Sequence, residues 1–317
     1  MITRALLRTK AVQVLYAGFQ SDNDWKTMDN ELIFSINKSY DLYHFLLLLP
    51  AEIIKTAQKS IQISSKKLIK SKKDFDPNTK LVKNLYAAQL AKNQNLLDYA
   101  AKNSITWLPH QKEVLRIFNI LKEQDFYEKY INSTENSFEN DKNFWLNFFN
   151  SDEIFDENFD DFLEELSIYW LDDVTLLRSF IFKTIKQHKQ NDQKNDKLLP
   201  LFKDATDKRF IKELVKSVYE NDKQHNALIE SVLSNWKIDR LTKIDIVLLK
   251  MAVAELKTFP LIPISVTLNE YIEISKFYGT DKSRFFINGV LDKIVKRMRI
   301  TGTLNKVDEQ ENEEIGF

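Results

Sequence analysis

The side chains best suited to catalysis are few and poorly spaced in this chain. Its four histidines, His44, His110, His188 and His225, include no His-x-x-His or Glu-x-x-His pair that would set two ligands on one helix face, so no metal is assigned. Cysteine is absent, which removes thiolate ligands, a Cys nucleophile and any disulfide scaffold, and fits a reducing compartment. With five glycines in 317 residues there is no Gly-x-Gly-x-x-Gly phosphate loop and no Gly-x-Ser-x-Gly turn. Neighbouring carboxylates such as Glu164 and Glu165 diverge by ~100° on a helix and make no acid–base dyad. The sequence therefore predicts neither an enzyme nor a cofactor.

What remains is binding chemistry, and charge is where it shows. The 46 basic and 46 acidic residues cancel in total but not in place. Lys55 to Lys73 holds seven lysines and no acid, read as a solvated helix face. Glu135 to Asp173 holds 13 acids against Lys142 alone. Asp207 to Arg299 carries 17 basic and 12 acidic residues, and the first ten residues carry Arg4, Arg8 and Lys10 with no acid. Local basic patches of this kind suit a polyanion even when the total charge is zero.

The elements that must position these charges read as helices. Five glycines and six prolines are too few for the turns of a β-sandwich, and 43% apolar with 29% charged residues fits neither a disordered nor a membrane chain. The longest apolar run, Phe45–Leu49, is closed by Pro50 and is far short of the ~20 residues of a membrane span. The N-terminus lacks the apolar stretch of a secretory signal. An all-α, cytoplasmic protein is expected.

Helix-face spacing predicts helices over 3–20, 41–60, 81–101, 111–130, near 173–188, and over 207–220, 225–235, 241–256, 267–278 and 281–298. Residues 71–80, with Asp76-Pro77-Asn78, read as a turn, and 189–197 as a surface loop and the clearest boundary. The aromatic stripe Phe144, Trp145, Phe148, Phe149, Phe155, Phe159, Phe162, Leu163, Leu166 and Trp170 reads as core. Thr267-Leu268-Asn269-Glu270 fits a capping box, Gly279 a left-handed helix end, and Asp281 the cap of the last helix. Gly289 falls inside that helix, where close packing of another helix is the expected reason for a glycine.

Three strings carry a resemblance. Asn269 to Gly279 followed by Ser283 to Asp292, the upstream helix Asp245 to Leu256 with Pro263, and Arg8-Thr9-Lys10-Ala11-Val12-Gln13-Val14-Leu15-Tyr16 together resemble the transcription antitermination factor NusB family. The resemblance covers about residues 1–20 and 205–300. It implies an all-helical bundle without enzymatic activity, which pairs with the ribosomal protein NusE, binds single-stranded boxA RNA of nascent ribosomal transcripts and joins the RNA polymerase antitermination complex. By the resemblance, 1–20 is the first helix of the core, 21–200 a helical insertion resembling the family's long forms, 201–300 the rest of the core and 301–317 an acidic tail.

Carried over residue by residue, Arg4, Arg8, Tyr278, Lys282, Ser283 and Phe286 match RNA-contact positions, and Tyr16, Asp239 and Asp245 match positions at the NusE face. The family's run of arginines is thinned here to Arg4 and Arg8, one helical turn apart. That thinning favours the alternative, a helical protein–protein adaptor without direct RNA binding. The fold also occurs fused to RNA methyltransferases, but the glycine-rich cofactor domain they need is missing from this sequence.

Overall fold

The computed structural model describes residues 3–66, 77–190, 197–233, 241–304, 306 and 307. These form fourteen α-helices and one 3₁₀ turn (Leu108–His110), with no strand among the described residues. In chain order the helices are α1 (Arg4–Gln20), α2 (Trp25–Ser65), α3 (Leu85–Leu90), α4 (Gln94–Lys102), α5 (Gln111–Glu123), α6 (Asp125–Asn132), α7 (Phe138–Asn150), α8 (Glu157–Leu166), α9 (Val174–Gln187), α10 (Ala205–Glu220), α11 (Asp222–Val232), α12 (Lys243–Thr258), α13 (Ile264–Tyr278) and α14 (Ser283–Ile300). They sort into two compact units, residues 37–201 and residues 2–36 with 202–317, so the boundary falls inside α2. Asp76, most of the 189–197 loop, Asp239 and the acidic tail from Asp308 lie outside the described residues.

The unit of residues 37–201 is built on aromatic packing. Of the predicted stripe, Phe144, Trp145, Phe148, Phe149, Phe155, Phe159, Leu163 and Trp170 are buried, while Phe162 and Leu166 are half-buried. Trp107 stacks on Phe45 with ring centroids 4.0 Å apart, and its indole N–H donates to the Phe45 carbonyl at 2.7 Å. That carbonyl lies one turn before Pro50, which does not end the helix: α2 runs on to Ser65. An interior proline costs about 3 kcal/mol, but Leu42, Phe45, Leu46, Leu49, Ile53 and Ala57 form one buried stripe across it, and each large side chain contributes ~1.5–3 kcal/mol. The expected single helices 81–101 and 111–130 are each two. Asn84 and Asn93 cap α3 and α4 by accepting from the amides of Ala87 and Leu96, and Gln124 takes an extended backbone (ψ 137°) that ends α5.

The unit of residues 2–36 and 202–317 centres on α12, in which every residue from Val247 to Leu256 is buried. A helix apolar all round belongs in the middle of a bundle. The turn that follows it is held by Lys306, whose Nζ donates to the carbonyls of Phe259 (2.9 Å) and Ile262 (2.8 Å). The predicted capping box is corrected here. Helix α13 starts behind Pro263, and Thr267 is a buried interior residue whose hydroxyl donates to the Glu255 carboxylate at 3.0 Å. The Thr267 N–H donates to the Pro263 carbonyl at 3.1 Å, so Thr267 already lies inside the first turn and its hydroxyl is left to donate to the buried acid.

One histidine in each unit is held neutral. Nδ1 of His44 donates to the Tyr40 carbonyl at 2.8 Å while the ring stacks on Tyr99, and neither ring nitrogen of His225 has a hydrogen-bond partner. Burial pushes both down to about 4 from the ordinary 6.5, with the nearby Lys257 charge adding to the effect at His225. Because the folded values lie below the unfolded one, this stability is complete above pH 6.5 and is lost as pH falls from 6.5 towards 4. The loss at pH 5 is roughly 2 kcal/mol per histidine. Urea unfolding at a series of pH values should show that decline, and His225→Leu should make it shallower; an unchanged slope in the variant would contradict the assignment.

Candidate functional site

Helix α1 buries Leu7, Ala11, Val14 and Leu15, and the same winding carries Arg8 inward, where it is 2% exposed. Its Nη2 lies 2.7 Å from Oε1 of Glu255 and its Nε 2.8 Å from Oε2, a two-pronged pair, while Nη1 lies 3.2 Å from Glu270. Glu255 is fully buried and also accepts from the hydroxyls of Thr267 (3.0 Å) and Tyr271 (2.9 Å). Burial opposes the Arg8 charge, but the hydrogen bond to Glu255 and the surrounding negative groups raise its guanidinium above the ordinary value. Tyr271 is pushed up by burial first and the Glu255 charge second. Arg8 is thus a tie between α1, α12 and α13, and its donors already face two carboxylates.

Arg4, one turn earlier, stays accessible, with its side chain 38% exposed. Its Nε donates to Asp207 at 2.9 Å, and the guanidinium lies 4.7 Å from the centre of the Phe210 ring, which also faces Arg8 at 5.2 Å. Midway along α1, Gln13 donates to the Tyr278 hydroxyl at 2.9 Å. Gln13, Tyr16, Thr242, Lys243 and Tyr278 line a cleft of about 360 Å³. Tyr16 is 40% exposed on its wall. Asp245 follows in the first turn of α12; it is buried, its backbone N–H donates to the Thr242 hydroxyl at 3.1 Å, and its Oδ1 has no hydrogen-bond partner. Asp239 lies outside the described residues.

The corner between α13 and α14 is tightly made. The Ser283 hydroxyl is buried and accepts from the Thr280 N–H at 2.9 Å. The expected cap by Asp281 is corrected: Asp281 is exposed, Lys282 takes the capping position, and no side chain caps the first turn of α14. Gly279 is not left-handed: its backbone is extended (φ −93°, ψ −179°). Its glycine is required by closeness instead, since a Cβ there would stand 2.5 Å from the Ser283 Cβ and 2.6 Å from the Ser275 carbonyl. Lys282 is exposed and Phe286 half-buried. Tyr278 and Tyr16 therefore meet at one cleft with the corner beside it. Arg4 stands apart, nine residues from Gln13 and so ~14 Å along the helix axis.

Sequence reasoning missed Glu255, Tyr271 and Gln13. Glu255 did have a signal, since an acid inside the apolar run Val247–Leu256 must find a buried cation. Nothing local marks Arg8 as its partner, 247 residues away. Gly289 was expected to meet another helix; it is exposed, and a Cβ there would have nothing within 4 Å.

Comparison with known proteins places this unit among relatives. The NusB family matches residues 174–296. The transcription antitermination protein NusB of Listeria monocytogenes serotype 4a is 47% identical over 85 residues, 27% of this chain and 66% of that protein. The chain thus spans just under two thirds of that relative's length. The protein of the same name from Pseudothermotoga lettingae is 39% identical over 127 residues, 38% of this chain and 89% of the relative. A solved T. maritima NusB structure has 32% identity over 37% of this chain and 82% of its own, with a TM-score of 0.29.

The corner yields a direct test. Gly279→Ala forces a methyl group against backbone and Ser283, an overpacking that should destabilise the protein by ~1–3 kcal/mol. Thermal or urea unfolding of that variant measures it, and wild-type stability would show that the corner is looser than described.

Proposed function

The chain belongs to the NusB family of transcription antitermination proteins, and from that premise we propose that it binds single-stranded boxA RNA together with NusE within the RNA polymerase antitermination complex. The observation that carries the reading is the joining of the two family strings: Gln13 of α1 holds Tyr278 at 2.9 Å, beside a cleft that Tyr16 also lines. RNA needs cations for its phosphates and flat groups for unpaired bases. Arg4, Lys282, Tyr278 and Phe286 supply these, while Arg8 and Ser283 hold the first helix and the corner in place. NusE is assigned the face of Tyr16, Asp239 and Asp245, where an acid complements a basic ribosomal protein. The role needs no catalytic residue or cofactor. Among the described residues no helix is long and apolar enough to cross a membrane, and the proposed site of action is the cytoplasm. In this reading residues 21–200 are an insertion into the family core, and 301–317 an acidic tail.

A second reading draws on one specific observation. Arg8 is neutralised by Glu255 and Glu270, and Arg4 is paired with Asp207, so the positive surface at the start of α1 is thin. A protein–protein adaptor without RNA contact would look the same there. Titrating boxA RNA against the protein, with and without NusE, at several salt concentrations separates the two. Under the RNA reading, replacing Arg4 and Lys282 should each flatten the log–log salt dependence by ~0.7. Full affinity and an unchanged slope in variants that fold and bind NusE would favour the adaptor.

A further inference from the structure

We propose that Phe285 and Phe277 form a stacking platform for unpaired bases on the two sides of the Gly279–Lys282 corner, an inference that rests on the RNA reading above. Phe277 is 83% exposed and Phe285 68%, whereas Phe210 in the same unit is buried and Phe286 half-buried. Leaving two phenylalanines in water forgoes the stabilisation that burying each would contribute.

The surroundings point to a nucleic acid. The Arg284 guanidinium lies 4.6 Å from the centre of the Phe285 ring, so one face is backed by a cation while most of the residue stays open. A flat base can take the open face, and the cation beside it suits the adjoining phosphate. Gly289 follows Phe285 by four residues, on the same face of α14. It is exposed with open space where a side chain would be, although glycine inside a helix costs ~1 kcal/mol relative to alanine. A bare step beside the ring lets a planar ligand approach the helix backbone. Asn288, just before Gly289, is also exposed, with an amide able to donate to and accept from a base edge. Exposed residues between Lys276 and Gly289 include no aliphatic side chain, which a protein interface built on two phenylalanines would be expected to add.

Phe286 is half-buried, so the more open Phe285 would extend the flat surface beyond it. Base–aromatic stacking tolerates any base, so this platform would add affinity along the strand and leave sequence choice to hydrogen bonds.

The test uses the intact protein with a boxA oligonucleotide, unlabelled for affinity and carrying 2-aminopurine for stacking. Phe285→Ala and Phe277→Ala should each weaken binding by about 5- to 160-fold, the ~1–3 kcal/mol of one base on one ring. They should relieve 2-aminopurine quenching and leave the salt slope and melting temperature unchanged. Phe285→Trp should preserve binding, whereas Phe285→Leu, apolar but not flat, should lose it as alanine does. Gly289→Ala should raise the melting temperature yet weaken RNA binding. Wild-type affinity in both alanine variants would overturn the platform and leave the RNA reading standing. Loss of NusE binding with RNA binding intact would overturn it in favour of a protein surface. If the wild-type protein, alone and with NusE, binds no RNA, the RNA reading falls and the platform with it.

Discussion

A guanidinium and a carboxylate, both out of water, tie the first helix to the centre of the bundle. Arg8 and Glu255 are 247 residues apart in the chain, and closing a flexible loop of that length would cost about 5 kcal/mol. Burying either charge alone would cost several more. The site tolerates both because almost every lone pair and proton is used: the Glu255 carboxylate accepts from Arg8 twice, from Thr267 and from Tyr271. The arrangement is therefore all-or-none. It fixes the rotation of α1 about its axis, and through that rotation the direction in which Arg4, Gln13 and Tyr16 point.

From this tie the candidate site follows by steps. With Arg8 set against Glu255 and Glu270, Gln13 comes opposite Tyr278 at the end of α13. Tyr278 leads directly into Gly279, where the chain turns so closely that a Cβ would strike Ser283 and the Ser275 carbonyl. The corner is therefore stiff, and the side chains on it, Lys282, Arg284 and Phe285, are presented from a fixed base. Charge plays two parts in this unit. Arg8 shapes the fold from inside, and Arg4 and Lys282 remain where a ligand can reach them.

Much of this was legible in the sequence, for reasons that are local. Helical spacing and the shortage of glycine and proline gave the all-α class, most of the aromatic stripe lies in the core of residues 37–201, and the strings between Asp245 and Asp292 fall within the family match. Local rules failed where packing in the folded chain decided the outcome. Thr267 and Glu270 have the spacing of a capping box, but their polar atoms serve Glu255 and Arg8. The predicted helix 41–60 is longer, α2 running from Trp25 to Ser65 with its buried stripe continuous across Pro50. Gly279 has the position of a left-handed cap, and its true constraint is a neighbour four residues on. The exposure of Phe277 and Phe285 had no sequence signal, because an apolar residue at a helix end reads as core.

The central claim is that Arg8 and Glu255 act as one internal unit. A double-mutant cycle with Arg8→Met, Glu255→Leu and the pair together, followed by urea unfolding, tests it most directly. The account predicts that each single change loses ~3–5 kcal/mol by stranding the other charge, and that the double variant loses far less than the sum. Losses that add to within ~0.5 kcal/mol would mean the two residues contribute separately, and that α1 is held by its apolar face alone.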